Sequence, residues 1–207
     1  MHGELIRGDA TAVWSGACLD SRTVREGQLF FALAGEQTDG HRFVDGALAS
    51  GAAAAVVQDL AGLDATSPLI EVDDTFAALH RLTREVRREV PNRLVGITGS
   101  SGKTTTKEML AAMLGRRYRT AASPGNLNNL YGFPLALLGI PDDTEWMVAE
   151  MGMSTPRELR GVSLLGRPDV AVFSIVREAH LEAFGSLEAI AEAKAELLAG
   201  LAPGGLV

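Results

Sequence analysis

A regular alternation of apolar strands and amphipathic helices in the second half of the chain is the feature that most constrains its fold. Four strands are predicted, and a helix follows each of them: strands at 93–98, 118–122, 145–151 and 169–176, helices at 103–114, 128–138, 156–165 and 186–201. Apolar strands that alternate with helices predict a parallel sheet covered on both faces. We therefore expect an α/β fold whose ligands bind beyond the carboxyl ends of the strands.

The first part of the chain predicts a smaller α/β domain. Its short apolar runs indicate strands at 27–33, 52–57 and 69–72. A helix with one apolar stripe is then predicted to continue to about Val90, and Pro91 ends it. We therefore expect a small N-terminal domain at residues 1–91 and a second domain at residues 92–207.

Composition excludes several classes of protein. The formal net charge of −7 argues against nonspecific nucleic-acid binding, although a local basic pocket for phosphate is compatible with it. The single cysteine, Cys18, rules out an internal disulfide framework and fits a reducing compartment. The sequence shows neither a signal-peptide pattern nor an apolar stretch long enough for a membrane span. We expect a soluble, cytoplasmic protein.

The segment GITGSSGKTTTKEML, which begins at Gly96, places a glycine-rich turn between an apolar strand and a helix. Such a turn exposes backbone N–H groups and the helix N-terminus adds positive potential, so both favour phosphate. Lys103 would contact the outer phosphates of a nucleotide, and the Thr104 hydroxyl would bind Mg²⁺. The predicted loop comprises Gly99, Ser100, Ser101, Gly102, Lys103, Thr104 and Thr105. Because Ile97 stands where the strict pattern has a glycine, a capped helix start with a solvated lysine is the alternative.

Polar residues lie at the ends of three predicted strands. They are the loop at 99–104, Glu150, and the segment 177–180. Since the carboxyl ends of parallel strands meet at one edge of a sheet, these residues predict a single site.

The sequence resembles the Mur ligase family over essentially its whole length. TGSSGKTT, from Thr98, is similar to the phosphate loop of Mur ligases and their folylpolyglutamate synthetase relatives, whose first glycine falls where Gly99 is. The segment Asp20–Val57 resembles the uridine-diphosphate-binding domain that separates Mur ligases from the folate enzymes. SPGNLNNLYGFPLALL, from Ser123, resembles the Asn-rich segment of the dipeptide-adding branch. AEMGMSTPREL, EAHLEAFGS and AEAKAEL continue the match in order.

The resemblance implies an ATP-driven amide ligation in peptidoglycan precursor synthesis, with ATP and Mg²⁺ as cofactors. The carboxylate of UDP-N-acetylmuramoyl-tripeptide attacks the γ-phosphate of ATP to give an acyl phosphate. The amine of D-alanyl-D-alanine then displaces that phosphate. Such chemistry depends on positioning and on neutralising phosphate charge more than on covalent help from the protein.

By position, the resemblance also implies roles for individual residues. Lys103 contacts the phosphates and is implied to be catalytic together with Lys194 and His180. Thr104 and Glu150 are implied to bind one Mg²⁺, and His180 a second. Lys194 is implied to carry a carbamate, which would place a negative charge beside the metal. The segment that lines the phosphate and substrate region includes Asn126 and Asn129. The residues implied to face the uridine nucleotide are Ser21, Arg22, Thr38, Asp39, Gly40 and His41.

Structural alternatives stay open for these residues. Glu150 would be a solvated strand end, and His180 a capping or core histidine. Lys194 would pair with Glu192 or Glu196 on a solvated helix face. The asparagines would be turn residues, and the Asp-Gly pair of the first domain a plain turn.

The length of the chain, 207 residues, leaves more than one function class open. The chain ends at LAPGGLV, where the resemblance implies a further strand, so we expect an inactive fragment that lacks a C-terminal ligase domain and exposes the edge of the strand 169–176. A non-catalytic UDP-sugar- or nucleotide-binding module and a small phosphotransferase are the other classes, and the UDP-binding segment argues against the latter. Within the family, a ligase that adds the third residue is the alternative. The oligomeric state and the third residue of the tripeptide stay open.

Overall fold

The structure is a computed structural model, and it describes residues 4–7, 11, 13–35, 38–64, 67–178 and 184–207. The chain divides into two compact units, residues 1–82 and residues 83–207. None of the described helices is both long enough and apolar enough to cross a lipid bilayer.

The first unit is built on a sheet whose described strands follow the order β1-β5-β4-β3-β2. These strands are β1 (Glu4–Arg7), β2 (Ala17–Cys18), β3 (Leu29–Phe31), β4 (Ala54–Val57) and β5 (Leu69–Glu71). All neighbours pair in parallel except β1, which pairs antiparallel with β5 at one edge. Helix α1 (Val44–Ala49) connects β3 to β4, and its buried residues Val44 and Ala47 pack with Phe30 and Ala55 in the core of this unit.

Two short 3-10 helices complete this unit at the carboxyl side of its strands. They are Ser21–Thr23, which follows β2, and Gly40–Phe43, which precedes α1. In each, an aspartate side chain accepts the N–H of the second residue after it, which satisfies one of the unpaired donors of the first turn. Both positions fall in the segment that the sequence predicts to face a nucleotide.

The second unit contains a parallel sheet whose described strands follow the order β7-β8-β6-β9. The strands are β6 (Arg93–Thr98), β7 (Thr120–Ala122), β8 (Trp146–Glu150) and β9 (Val170–Phe173). The helices are α3 (Lys103–Leu114), α4 (Gly132–Leu138), α5 (Glu158–Gly166) and α6 (Leu187–Ala195), with α2 (Thr75–Glu89) spanning the division between the units. The predicted α/β fold with a parallel sheet in the second unit is confirmed.

Strand β6 lies between β8 and β9, so the ends of its two neighbours flank the loop that follows it. Ile97 is in register with Glu150 on β8, and Thr98 is in register with Phe173 on β9. The core beneath α3 contains Val95, Ile97 and Val148. Ile97 is fully buried there, which explains why the position five residues before Gly102 is apolar.

Several elements differ from their predicted bounds. β9 ends at Phe173 and not at 176, because Ile175 O accepts a hydrogen bond of 2.7 Å from Ser100 N and the chain therefore follows the glycine-rich loop. α4 begins at Gly132 and not at Asn128, because Asn129 Oδ1 accepts the N–H groups of the two residues that open the helix.

The last predicted helix is also shorter than expected. It is an α-helix only over Leu187–Ala195, and a 3-10 helix, Glu196–Gly200, continues it. The Oγ of Ser163 accepts the N–H of Gly200 at 3.0 Å, and a side chain at Gly200 would collide with the backbone of Ser163. The end of this 3-10 helix therefore packs closely against α5.

The edge beyond β9 is partly paired. Leu206 forms a parallel bridge with Val170, through Ala171 N to Leu206 O at 2.8 Å and Leu206 N to Asp169 O at 2.9 Å. The sequence predicts an exposed edge at this strand. The structure corrects that prediction over the first residues of β9.

Candidate nucleotide and metal site

The glycine-rich loop requires glycine at two positions. Gly102 has φ +81° and is the N-cap of α3, a left-handed conformation that glycine adopts without steric penalty. Gly99 has φ +154°, and a Cβ built there would collide with the Oγ of Ser174. The loop therefore passes so close to the chain after β9 that a side chain has no room.

The segment that follows β9, residues 174–177, forms hydrogen bonds with the glycine-rich loop. Ser174 Oγ donates to Ser101 O at 2.6 Å, and Ser100 Oγ donates to Arg177 O at 2.8 Å while accepting the N–H of Arg177 at 3.0 Å. With the bond from Ser100 N to Ile175 O, these contacts fix the backbone of the loop. A loop fixed in this way presents the first N–H groups of α3, which is an arrangement that binds phosphate.

Lys103 and the two threonines after it open helix α3. Lys103 Nζ donates to Gly99 O at 2.9 Å across the mouth of the loop. Thr104 and Thr105 are exposed. The alternative of a solvated lysine does not hold, because the Lys103 side chain is half-buried and folds back over its own loop.

Glu150, at the end of β8, is a buried carboxylate with an unused oxygen. Its relative exposure is 3%, and its Oε1 atom has no hydrogen-bond partner among the described residues. The nearest cation is Lys107, whose Nζ lies 3.5 Å from Oε1. The solvated-strand-end alternative for Glu150 is therefore wrong.

These groups fit a divalent ion. An unbonded carboxylate oxygen is the type of ligand that Mg²⁺ takes, and Mg²⁺ is usually held by one or two carboxylates with phosphates and water. No group of three or more His, Cys, Asp or Glu side chains suited to a metal occurs within the described part of the chain. An ion at this site would thus depend on the hydroxyl of Thr104 and on the phosphates of a nucleotide.

Lys194, on α6, is a second buried lysine at this end of the unit. It is 3% exposed, and within the described part of the chain it forms no ion pair. Burial, and secondarily the nearby positive charge of Lys103, lower the pKa of Lys194 from 10.5 to about 8. The expected alternative, an ion pair with Glu192 or Glu196 on a solvated face, is wrong.

The Asn-rich segment lies against the residues that follow Glu150. Gly152 N donates to Asn128 O at 2.8 Å, and a Cβ on Gly152 would lie 2.9 Å from Asn128 Cγ. Asn126 is exposed, and Asn129 Oδ1 accepts from Tyr131 N and Gly132 N. Asn129 thus has a turn-forming role, which is compatible with a ligand role for its remaining amide donors. His180 lies outside the described residues.

In the first unit, Asp20 and Arg22 form an exposed two-point ion pair. Arg22 Nη2 lies 2.6 Å from Asp20 Oδ2, and Arg22 Nε lies 2.9 Å from Asp20 Oδ1. Hydrogen bonds from Arg22 hold the pKa of Asp20 at about 2. Ser21 lies between them and is half-buried. The pair fixes the guanidinium plane while its remaining donors face solvent.

His41 uses both ring nitrogens inside the protein. Nδ1 lies 2.7 Å from Asp39 Oδ1, and Nε2 lies 2.9 Å from Gln58 N and 3.3 Å from Asp59 N. Since the two backbone N–H groups are donors, Nε2 accepts and Nδ1 carries the proton that Asp39 accepts.

The loop around His41 is closely packed. A Cβ on Gly40 would lie 2.7 Å from Leu33 N. Thr38 is exposed, and its carbonyl accepts the N–H of Gly35 at 3.1 Å. A cavity of about 290 Å³ lies beside these residues, with Asp39, His41 and Asp59 in its wall. The residues predicted to face a uridine nucleotide therefore lie in two hydrogen-bonded turns, and two of them, Asp39 and His41, line this cavity.

Comparison with known proteins bears on both units. The family profile described as "Mur ligase middle domain" matches residues 97–207. The chain belongs to the Mur ligase family. A second profile, "Mur ligase family, catalytic domain", matches residues 15–87. Together the two matches cover the predicted nucleotide-facing turns and the glycine-rich loop of this Mur ligase chain.

Three relatives show where the similarity lies. The chain is 42% identical over 193 residues to the UDP-N-acetylmuramoyl-tripeptide–D-alanyl-D-alanine ligase of Bacillus subtilis, covering 93% of this chain and 42% of that protein. It matches a crystal structure of MurF from Acinetobacter baumannii with a TM-score of 0.82 and 37% identity, over 91% of this chain and 42% of that one. It also matches MurF ligase from Thermotoga maritima in complex with ADP, with a TM-score of 0.79 and 37% identity, over 94% and 45%. The chain thus spans about two fifths of the length of these Mur ligases.

Sequence interpretation missed three residues that contact candidate site residues of this chain. Lys107 and Ser123 contact Glu150, and Ser174 contacts Ser101, and none of these contacts was expected. A signal for Lys107 exists: α3 directs Leu110, Ala111 and Leu114 into the core, and position 107 lies one turn earlier on the same stripe. A lysine on a buried stripe indicates a specific partner for its charge.

Proposed function

We propose that this chain forms the UDP-sugar-binding and ATP-binding units of a ligase that adds D-alanyl-D-alanine to UDP-N-acetylmuramoyl-tripeptide. The observation that carries the proposal is the extent of the similarity. It runs through both units, with 42% identity to a ligase of that name over 93% of the chain. A general ATPase or phosphotransferase would have no use for the first unit. ATP and a UDP-sugar are cytoplasmic metabolites, so we place the activity in the cytoplasm.

In this reaction the chain binds and orients two of the three substrates. The tripeptide carboxylate attacks the γ-phosphorus of ATP, the bond to ADP breaks, and an acyl phosphate forms. The amine of D-alanyl-D-alanine attacks the acyl carbon, inorganic phosphate leaves, and the amine loses a proton as the amide forms. Mg²⁺, when bound, would neutralise charge on the phosphates. The rate enhancement comes mainly from orientation and from fixed positive charge.

The second unit would hold ATP. We assign the phosphates to the loop Gly99–Thr105, with Lys103 turning from Gly99 O to the outer phosphates. Thr104 and Glu150 would hold one Mg²⁺, and His180 would serve a second. The exposed amides of Asn126 and Asn129 would face the phosphate and substrate region.

Lys194 would act as a carbamate in this unit. Formation of a carbamate requires the neutral amine, which attacks CO₂ and releases one proton. A pKa of about 8 gives Lys194 a larger neutral fraction near neutral pH than an ordinary lysine has. The resulting anion would lie near Lys103, whose positive charge would then stabilise it.

The first unit would bind the uridine diphosphate. We assign this role to Ser21, Arg22, Thr38, Asp39, Gly40 and His41. Arg22 offers guanidinium donors that the Asp20 pair leaves free, and the turn at Gly40 offers backbone groups. His41 contributes by holding that turn against residues 58–59, since neither of its ring nitrogens is available to a ligand.

Calorimetry on the 207-residue chain tests the binding part of the proposal. We expect UDP-N-acetylmuramoyl-tripeptide and MgADP each to bind. Arg22→Gln should abolish binding of the UDP-tripeptide only, and Lys103→Ala should abolish binding of MgADP only. Fusing the chain to the remaining part of the Bacillus subtilis relative tests the reaction. The fusion should release phosphate from ATP only when tripeptide and D-alanyl-D-alanine are both present. If the rate of phosphate release is the same with and without D-alanyl-D-alanine, the proposed acceptor is wrong.

A further inference from the structure

Lys107 is a buried charge that the reaction described above does not use. It lies on α3, one helical turn after Lys103, and its relative exposure is 1%. A lysine ammonium in such a place is unfavourable unless it is both paired and hydrogen-bonded. The contacts of the Lys107 ammonium therefore indicate its role.

The ammonium of Lys107 contacts three oxygens of unequal importance. It donates to Ser123 O at 2.8 Å, it lies 3.2 Å from Glu108 Oε1, and it lies 3.5 Å from Glu150 Oε1. The Glu108 side chain is 63% exposed, so its pairing is screened by solvent. The Glu150 side chain is 4% exposed, so solvent screens its interaction with Lys107 much less.

The geometry around Glu150 is not that of a simple buried ion pair. Charge-assisted N–H···O bonds close to about 2.7–2.9 Å when nothing prevents it. Here Lys107 gives its short bond to the Ser123 carbonyl and stops 3.5 Å from the carboxylate. Ser123 Oγ in turn accepts the N–H of Glu150 at 3.1 Å. The result is a carboxylate held in place whose Oε1 keeps its lone pairs unbonded.

We propose that Lys107 is a positioning residue that orients Glu150 for the divalent ion which enters with the nucleotide. This inference rests on the proposed function, since it takes Glu150 as a ligand of that ion. It also has a consequence for the order of binding. Lys107 cancels the charge of Glu150, so the site should attract a bare divalent ion only weakly and should bind it together with nucleotide phosphates.

The test compares ADP binding with and without Mg²⁺, by calorimetry on the 207-residue chain. In the wild-type chain, Mg²⁺ should strengthen ADP binding, and Mg²⁺ alone should give no saturable signal below millimolar concentration. Lys107→Met should lower the strengthening by Mg²⁺ about 10-fold or more, as loss of a group that supports a metal ligand does. Binding of ADP in EDTA should stay within about threefold of wild type. Glu108→Gln, which removes the exposed carboxylate on the other side of Lys107, is the matched control and should behave as wild type.

A purely structural role gives a different pattern. It would weaken ADP binding equally with and without Mg²⁺, in proportion to lost stability, and that result would overturn the proposal. So would a folded Lys107→Met chain that keeps the full strengthening by Mg²⁺. If wild type binds no ADP at all, the proposed function fails. If wild type binds ADP without any effect of Mg²⁺, the metal role of Glu150 and this inference fail while nucleotide binding stands.

Folding of the variants has a defined outcome as well. If Lys107→Met does not fold, Lys107→Gln replaces it, because Gln keeps a donor for the Ser123 carbonyl without the charge. If neither folds, Glu150→Gln is added to Lys107→Met. Recovery of a cooperative thermal transition would support the coupling, because the unpaired buried carboxylate is then gone. Failure to recover would show that Lys107 serves the fold independently of Glu150 and would overturn the proposal.

Discussion

The two units differ in how the charged side chains of their candidate sites are bonded. In the first unit the acidic side chains are bonded within the protein: Asp20 forms an ion pair with Arg22, and Asp39 accepts the Nδ1–H of His41. Within the described part of the second unit, Lys103 contacts a carbonyl, Lys194 has no ion pair, and Glu150 Oε1 has no hydrogen bond although Lys107 Nζ lies 3.5 Å from it. A site whose charged side chains are already bonded within the protein recognises a ligand by its shape and by the hydrogen-bond donors that those bonds leave free. Buried groups that lack an ion pair or a hydrogen bond, such as the Lys194 amine and Glu150 Oε1, are electrostatically unfavourable until a ligand of complementary charge arrives.

This difference predicts different responses to ligands. An anionic nucleotide with its metal ion should relieve unfavourable charge in the second unit, in addition to making contacts. A ligand of the first unit gains only its contacts. Substitutions of charged residues should therefore have larger effects in the second unit, and substitutions that disturb backbone packing should dominate in the first.

The largest effect is expected for Lys103→Ala. Removal of a fixed cation from the phosphate site should abolish ligation in the fused enzyme, an effect of several kcal/mol (about 3 or more) on the barrier. Binding of UDP-N-acetylmuramoyl-tripeptide, measured by calorimetry on the same protein, should be nearly unchanged because we assign that ligand to the first unit. Turnover within about tenfold of wild type, a change of about 1.4 kcal/mol, would contradict the assignment.

The second effect is a pH dependence of stability that comes from Lys194. Its pKa is about 8 in the folded chain and 10.5 ordinarily, so between these values the unfolded chain binds more protons and stability rises with pH. The rise should reach about 3 kcal/mol at most. Lys194→Met should be more stable than wild type near pH 7.5, and the difference should vanish towards pH 10.5.

Thermal unfolding of both proteins across this pH range makes the measurement. Subtracting the two curves removes the contribution of every other titrating group. Curves that stay parallel would show that Lys194 is not destabilised by burial. Unfolding in the presence and absence of added bicarbonate then tests the carbamate, which should stabilise wild type and leave Lys194→Met unchanged.

A third, smaller effect tests the packing of the first unit. Gly40→Ala would place a Cβ 2.7 Å from Leu33 N, so the turn must shift, at a cost of about 1–3 kcal/mol. Affinity for UDP-N-acetylmuramoyl-tripeptide should fall with it, while MgADP binding should remain. Gly46→Ala is the matched control, because it lies in α1 with nothing within 4 Å of the new Cβ and should be neutral or slightly stabilising. Equal behaviour of the two variants would show that the Gly40 turn is not rigid.

Much of this fold is predictable because its signals are local. The strand and helix that flank the glycine-rich loop were expected at 93–98 and 103–114, and the structure places them there. Apolar periodicity, a glycine turn and a helix start all agree over that stretch. By contrast, β1 and β2 are too short to carry a pattern, and only pairing with the neighbouring strands defines them.

The supporting residues of the site are harder to predict, for a physical reason. Ser174 matters because β9 lies beside β6, and Ser123 matters because β7 lies beside β8. Strand order in a sheet is a long-range property that a local pattern does not contain. Glu150 was expected at the site from its strand end and from the resemblance, and Lys194 from the resemblance, but the burial of both follows only from packing.

The smallest effect concerns Cys18, which reports on opening of the first unit. Burial, and secondarily the negative charge of Asp20, raise the pKa of Cys18 from 9.0 to about 11. At pH 8 this lowers the thiolate fraction about 100-fold, so iodoacetamide should label folded Cys18 slowly and mainly after the unit opens. UDP-N-acetylmuramoyl-tripeptide at ten times its Kd should slow that labelling about 10-fold by mass action, if it binds the turns beside β2. Labelling as fast as that of a small free thiol would show that the first unit lacks the closed core described above, and labelling that the ligand does not slow would place its binding elsewhere.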